Sequence, residues 1–179
     1  MHIFLIGFMG CGKTSIGKRL AKRLKCPFYD TDFMIEQGAG FSIREIFELH
    51  GESFFRQIEA NTLRHLSNLP KGVVATGGGM PCFQQNMDLI NQIGKSFFLS
   101  VCPEQLCQRL MGGQNKRPLL QGMLHDEEIL RAFIVQKLQE RLFFYRQAHY
   151  HIDANKPHLA LEQILAYLNE AGLPDGRSV

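Results

Sequence analysis

The chain has 179 residues, 45% of them hydrophobic, which is the size and apolar content of one domain with a sizeable core. Its 20 basic and 17 acidic residues are spread along the chain, so the net charge of +3 suits small anionic ligands rather than nucleic acid. Five cysteines without CxxC or Cys/His spacing argue against a disulfide framework or a zinc site, and no apolar stretch nears the roughly 20 residues of a membrane span; a cytoplasmic monomer with no membrane partner is expected.

The chain opens with a short β-rich run, His2–Ile6, followed directly by Gly7-Phe8-Met9-Gly10-Cys11-Gly12-Lys13-Thr14-Ser15. This is a complete GxxxxGK[ST] pattern after a strand, and Thr14–Leu24, with Ile16, Leu20 and Leu24 at four-residue spacing, supplies the helix the pattern needs behind it. The glycines let the backbone N–H groups from Gly10 through Cys11, Gly12, Lys13, Thr14 and Ser15 turn toward a polyphosphate at the positive end of the helix. Lys13 would neutralise charge between the β- and γ-phosphates, and the Thr14 hydroxyl would ligate Mg²⁺.

A second extended segment is expected at Pro27–Tyr29, leading to Asp30 and Asp32. Many phosphate-loop proteins carry their metal-binding acid at the end of another apolar strand, but here Val73–Ala75 runs into Thr76-Gly77-Gly78-Gly79. The acid must come from elsewhere. Residues two apart in extended backbone face one side, so Asp30 and Asp32 can serve a metal and an acceptor hydroxyl, or simply end a strand at the surface.

Ser42-Ile43-Arg44-Glu45 fits a capping box for a helix that stops at Gly51, with a second helix over Glu52–Leu69. Within it Arg56 and Glu59 lie three apart on one face, an arrangement that can fix a guanidinium for bidentate carboxylate binding or form an ordinary exposed pair. Gly77, Gly78 and Gly79 allow close backbone approach to a ligand, or a plain turn. Ser96–Val101 is a further strand and Pro103–Leu110 a further helix. The aperiodic, glycine-rich Met111–Leu124 has the length of a functional loop, placing Arg117 as a mobile cation able to close over phosphates.

An acidic start at Asp126 opens a long helix to about Gln147. On it Lys137 and Arg141 share a face as a cationic stripe, with Arg146 nearby: a solvated surface or a second clamp on a carboxylate. Tyr150–Ile152 is the fifth extended segment and Pro157–Glu170 the last helix. Strands alternating with helices predict an α/β fold, three layers around a parallel five-stranded sheet. The guanine-selecting NKxD motif of GTPases is absent, Asn115-Lys116-Arg117-Pro118 being its nearest match. A small-molecule kinase is therefore favoured over a switch, over a non-catalytic nucleotide-binding regulator, and over a nucleic-acid-binding module.

With these motifs in this order, the chain resembles the shikimate kinases of the nucleoside-monophosphate-kinase-like branch of P-loop proteins, from Met1 to about Leu168. The resemblance implies one P-loop kinase domain over 1–179, with an acceptor-binding region at about 31–62 and a mobile lid at about 111–124. It implies ATP and Mg²⁺ as cofactors and shikimate as acceptor. Asp30 would position the metal and Asp32 bind the shikimate hydroxyls and serve as base. Phe55-Arg56-Gln57-Ile58-Glu59 would place Arg56 on the shikimate carboxylate with Glu59 orienting it. The backbone of Gly77, Gly78 and Gly79 would touch acceptor hydroxyls, and Arg141 would be the second carboxylate arginine. Arg117-Pro118-Leu119-Leu120 matches the lid, with Arg117 catalytic. Arg109 and the segment containing Asn155, Lys156 and Pro157 would contact adenine.

Overall fold

The structure, a computed structural model, describes residues 1–112 and 126–172. In chain order these form β1 (His2–Ile6), α1 (Lys13–Leu24), β2 (Phe28–Asp30), α2 (Thr31–Ala39), α3 (Ile43–Leu66), β3 (Val73–Ala75), a 3₁₀ turn (Met80–Cys82), α4 (Asn86–Ile93), β4 (Gly94–Ser100), α5 (Pro103–Met111), α6 (Glu127–Tyr145), β5 (Tyr150–Asp153) and α7 (Pro157–Glu170). The five strands make one sheet in the order β2-β3-β1-β4-β5, and every neighbouring pair is parallel.

Strand β1 shows why the sheet is central. All five of its residues are buried, and successive side chains point to opposite faces, so each face needs its own cover. Ile3 and Leu5 pack with Ile16 and Leu20 of α1, Leu106 and Leu110 of α5, Leu130 and Ile134 of α6, and Leu161 and Ile164 of α7. Phe4 and Ile6 pack with Ile35 of α2, Ile46, Phe55 and Leu63 of α3, Ile90 of α4 and Tyr145 at the end of α6. The result is the expected three-layer arrangement. His2 is tolerated inside it because both ring nitrogens are engaged, Nε2 with the Leu66 carbonyl at 2.8 Å and Nδ1 accepting from the Gly72 N–H at 3.3 Å. Burial lowers its pKa, in keeping with a neutral ring.

The expected stop at Gly51 is present: that residue adopts φ 78, ψ 176, which is not helical, and divides α3 into two helical stretches. Two expectations need correction. Helices α2 and α4 are additional to the elements expected from sequence. The extended backbone expected through Asp32 ends at Asp30, whose Oδ1 accepts from the N–H groups of Asp32 and Phe33 and so caps α2. The two aspartates therefore occupy a cap and a first helical turn rather than one face of a strand. The expected lid at about 111–124 falls, beyond Gly112, outside the described residues, and Arg117 with it.

Candidate active site

The phosphate loop lies between β1 and α1, and its shape is set by glycines with positive φ: Gly7 at 140°, Gly10 at 82° and Gly12 at 102°. These angles belong to backbone that residues with a Cβ rarely adopt, so the loop geometry depends on them. Gly12 caps α1 without a side-chain bond, and the first turn carries no acid. The N-terminal amides of α1 are thereby left for an anion at the positive end of the helix dipole. Lys13 is buried, its Nζ donating to the carbonyls of Gly7 at 2.8 Å and Phe8 at 2.9 Å. Cys11, for which the sequence offers no role, packs its fully buried thiol into the core beneath the loop.

The Thr14 hydroxyl donates to Asp30 Oδ2 at 2.8 Å. Because Asp30 Oδ1 is committed to the α2 cap, its second oxygen is the one turned to Thr14, and the two hard oxygen donors stand together at the mouth of the loop. That donor chemistry fits Mg²⁺, which takes few protein oxygens and completes its shell from phosphate and water.

Arg109 ties the glycine-rich loop to the segment after β5. Its guanidinium donates to the carbonyls of Gly10 at 3.5 Å, Ala154 at 3.2 Å and Asn155 at 2.9 Å, and to Gln105 at 3.2 Å. The Asn155 side chain accepts from the Cys102 N–H at 3.0 Å and bonds Asp153, pinning the ends of β4 and β5. Lys156 caps α7 and Pro157 begins it.

The other half of the site is assembled around the glycines after β3. A Cβ on Gly77 would lie 2.5 Å from Asp32 Oδ1, and one on Gly79 would lie 2.7 Å from Arg56 Nη1. One on Gly78 would lie 3.4 Å from Arg141 Nη1, 3.4 Å from Met9 N and 3.5 Å from Gly7 O. Each glycine thus leaves room for a side chain of the expected site, and at Gly78 the acceptor side meets the phosphate loop. The Gly77 N–H is already donated to Thr31 Oγ1 at 2.8 Å, so of the three amides this one serves the protein itself. Tyr145, fully buried and stacked on Phe98 with centroids 5.1 Å apart, donates its hydroxyl to the Gly78 carbonyl at 2.5 Å. Burial raises that hydroxyl's pKa, so it remains a donor.

Arg56 and Glu59 form a buried pair, Nη1 to Oε2 at 2.6 Å, and not an exposed one. Glu52 takes Nε at 3.1 Å and Nη2 at 2.8 Å through one oxygen. Burial raises the Glu59 carboxyl to about 7, against the pull of the Arg56 charge. For Arg56, burial opposes the charge, but Glu59 and Glu52 outweigh it and raise the guanidinium above its ordinary range. Removing each ion from water costs several kcal/mol, so a buried pair is weak evidence for stability. The pair lies beside Gly79 and near Asp32. Cys82 shares this environment, its thiol pushed up to about 11 by burial while Arg141 and Arg56 pull it down. The expected cationic stripe on α6 does not hold as such: Lys137 pairs with Glu140 at 2.7 Å, leaving Arg141, over the Phe8 ring at 5.5 Å, as the arginine at the site.

Glu52, Thr31, Tyr145 and Phe83, whose ring lies 4.0 Å from the Arg56 guanidinium carbon, were not anticipated. The spacing of four between Glu52 and Arg56 is a readable signal. The other three are brought in only by tertiary contact.

A family profile described as Shikimate kinase matches residues 9–170. The chain belongs to the shikimate kinase family. It is by that membership an ATP-dependent kinase with shikimate as acceptor. Among its relatives, the Bacteroides fragilis shikimate kinase is 45% identical over 156 residues, spanning 87% of this chain and 86% of that protein. The crystal structure of the Bacteroides thetaiotaomicron shikimate kinase superposes with a TM-score of 0.89 at 38% identity, covering 94% of this chain and 98% of that one. That of the Acinetobacter baumannii enzyme, in complex with shikimate, gives 0.83 at 34% identity, covering 94% and 93%. These neighbours share the P-loop kinase fold.

Proposed function

We propose that the chain transfers the γ-phosphoryl group of ATP to the 3-hydroxyl of shikimate, with the acceptor carboxylate held by Arg56 and Arg141. The meeting of Arg141, Gly78 and the phosphate loop within about one side-chain contact carries this reading, because it puts a carboxylate-binding cation and the phosphoryl donor on either side of one small space. A nucleoside monophosphate needs a far larger acceptor cleft and no carboxylate anchor.

Phosphoryl transfer through a loose transition state asks the protein for alignment and charge neutralisation rather than covalent chemistry. Lys13 supplies a fixed positive charge beside the loop amides. Asp32, held against Gly77, aligns the attacking hydroxyl and accepts its proton. Arg56 and Arg141 fix the opposite end of the acceptor, and Glu59 orients Arg56. Thr14 and Asp30 would hold Mg²⁺, which when bound neutralises charge on the β- and γ-phosphates. Arg109, Asn155, Lys156 and Pro157 line the adenine side, and Arg117 of the lid adds charge to the transferring group. The enzyme works as a monomer in the cytoplasm; no described helix is long and apolar enough to cross a membrane.

Acceptor-dependent ADP release tests the reading. Shikimate is expected to support turnover, gluconate and nucleoside monophosphates are not, and phosphorus NMR of the product is expected to place the phosphate on the 3-hydroxyl. Chelation of divalent cations is expected to abolish turnover. Equal turnover with gluconate would overturn the acceptor assignment.

A further inference from the structure

Phe83 follows the 3₁₀ turn after the three glycines and belongs to neither of the two core clusters. Its side chain is 38% exposed, and what its ring packs against is a cation. The partner is the Arg56 guanidinium, 4.0 Å from the ring centroid, well inside the ~6 Å at which the face of a ring attracts a cation. Phe55, a neighbour in sequence, sits farther off at 5.3 Å.

The hydrogen bonds around Arg56 show what the ring adds. Glu52 engages Nε and Nη2, and Glu59 engages Nη1, so the carboxylates hold the guanidinium by its edges. Edge contacts fix position but leave the plane free to tilt, and Glu52 is itself 58% exposed. A ring against the face removes the tilt. Those three bonds use three of the five N–H groups and leave one on each terminal nitrogen for a further acceptor. The close approach of Arg56 to Gly79 has the same effect from the backbone.

We infer that Phe83 is a positioning residue for acceptor binding: its ring sets the plane of the Arg56 guanidinium so that the acceptor carboxylate meets a preorganised fork. This rests on the reading of Arg56 as a carboxylate-binding arginine. Preorganisation of this kind lowers the ordering cost of binding and acts on the ground state and transition state alike, so it belongs in KM and Kd rather than kcat.

The test is a double-mutant cycle on the full chain, read by steady-state kinetics and by calorimetric binding of shikimate in the presence of ADP. Phe83→Leu is expected to raise acceptor KM and Kd about fivefold, with kcat and ATP KM within about twofold of the parent. Phe83→Tyr, which keeps the ring, is expected to restore parental values. In the Arg56→Ala background, Phe83→Leu is expected to add nothing. Should Phe83→Leu not fold, Phe83→Met removes the ring while keeping a flexible apolar side chain, with the same expectations. An unchanged acceptor KM in the ring-less variant, an equal rise in the Arg56→Ala background, or no recovery with tyrosine would each overturn the inference while leaving the Arg56 assignment standing. If Arg56→Ala alone left acceptor KM unchanged, the assignment itself would fall, and the role of Phe83 with it.

Discussion

The two halves of the site are built in different ways. The half proposed for phosphate is residues 7–15, one strand end, one loop and one helix start, with its backbone shaped by three positive-φ glycines. The acceptor half draws single side chains from separate elements: Asp32 from α2, Arg56 and Glu59 from α3, the glycines after β3, and Arg141 from α6. Recognition by backbone tolerates side-chain change as long as the loop keeps its shape. Recognition by converging side chains depends on several helices keeping their packing, so it is the half in which specificity is set and the half more easily disturbed from a distance.

Substitutions separate the halves. The largest effect is expected for Lys13→Met: removing the buried charge proposed to neutralise the phosphates should lower kcat by about 10³-fold, roughly 4 kcal/mol, with acceptor binding measured by calorimetry little changed. A comparable loss of shikimate affinity would show that the halves are not separable. Arg56→Ala and Arg141→Ala are expected to raise acceptor KM by roughly 2–4 kcal/mol each while leaving ATP KM alone. Gly79→Ala comes next. Its new methyl group would meet Arg56 Nη1 at 2.7 Å and push the guanidinium aside, for about a tenfold rise in acceptor KM and no effect on nucleotide binding. Retention of parental acceptor KM in this variant would mean that Arg56 has another productive position.

A different kind of effect concerns pH and stability. The Glu59 carboxyl is raised from 4.5 to about 7 in the folded chain, chiefly by burial, so between those values the folded state binds more protons than the unfolded one. This contribution is fully present below about 4.5 and is lost as pH rises to 7, with a slope on the order of 1 kcal/mol per pH unit. Glu59→Gln is expected to flatten that part of the profile in denaturant titrations at several pH values. An unchanged slope would mean that Arg56 already holds Glu59 ionised throughout the range.

The same contrast governs what could be read without coordinates. The loop between β1 and α1 was legible as a strand–loop–helix turn because its determinants are contiguous and its glycines have a conformational reason. The helix over Pro157–Glu170 and the capping box at Ser42 and Glu45 were legible for the same reason, each being a local bond pattern. Asp30 and Asp32 were assigned to the site on an incorrect local geometry: the cap made by Asp30 starts a helix where extended backbone was expected, and α2 carries only a weak apolar pattern to announce it. Spacing gave Arg56 and Glu59 but could not say whether the pair is buried, since burial depends on what α3 packs against. Spacing alone did not distinguish Lys137 from Arg141, which the family resemblance singled out; in the structure Glu140 pairs with Lys137 while Arg141 lies beside Gly78.

By itself, the sequence determined that a strand, a glycine-rich GxxxxGK[ST] loop and a helix follow one another at the start of the chain, that the central strands are buried, and which family its motifs belong to. These follow from local rules: glycine dihedrals, apolar periodicity and motif order. The tertiary structure decided that Asp32, Arg141 and Arg56 each stand over one of three consecutive glycines, that Arg56 and Glu59 are out of water, and that Phe83 faces the Arg56 guanidinium. Such contacts join residues far apart in the chain. They arise only when α2, α3 and α6 are packed around the end of β3, an arrangement set by the sheet order and not by any local spacing.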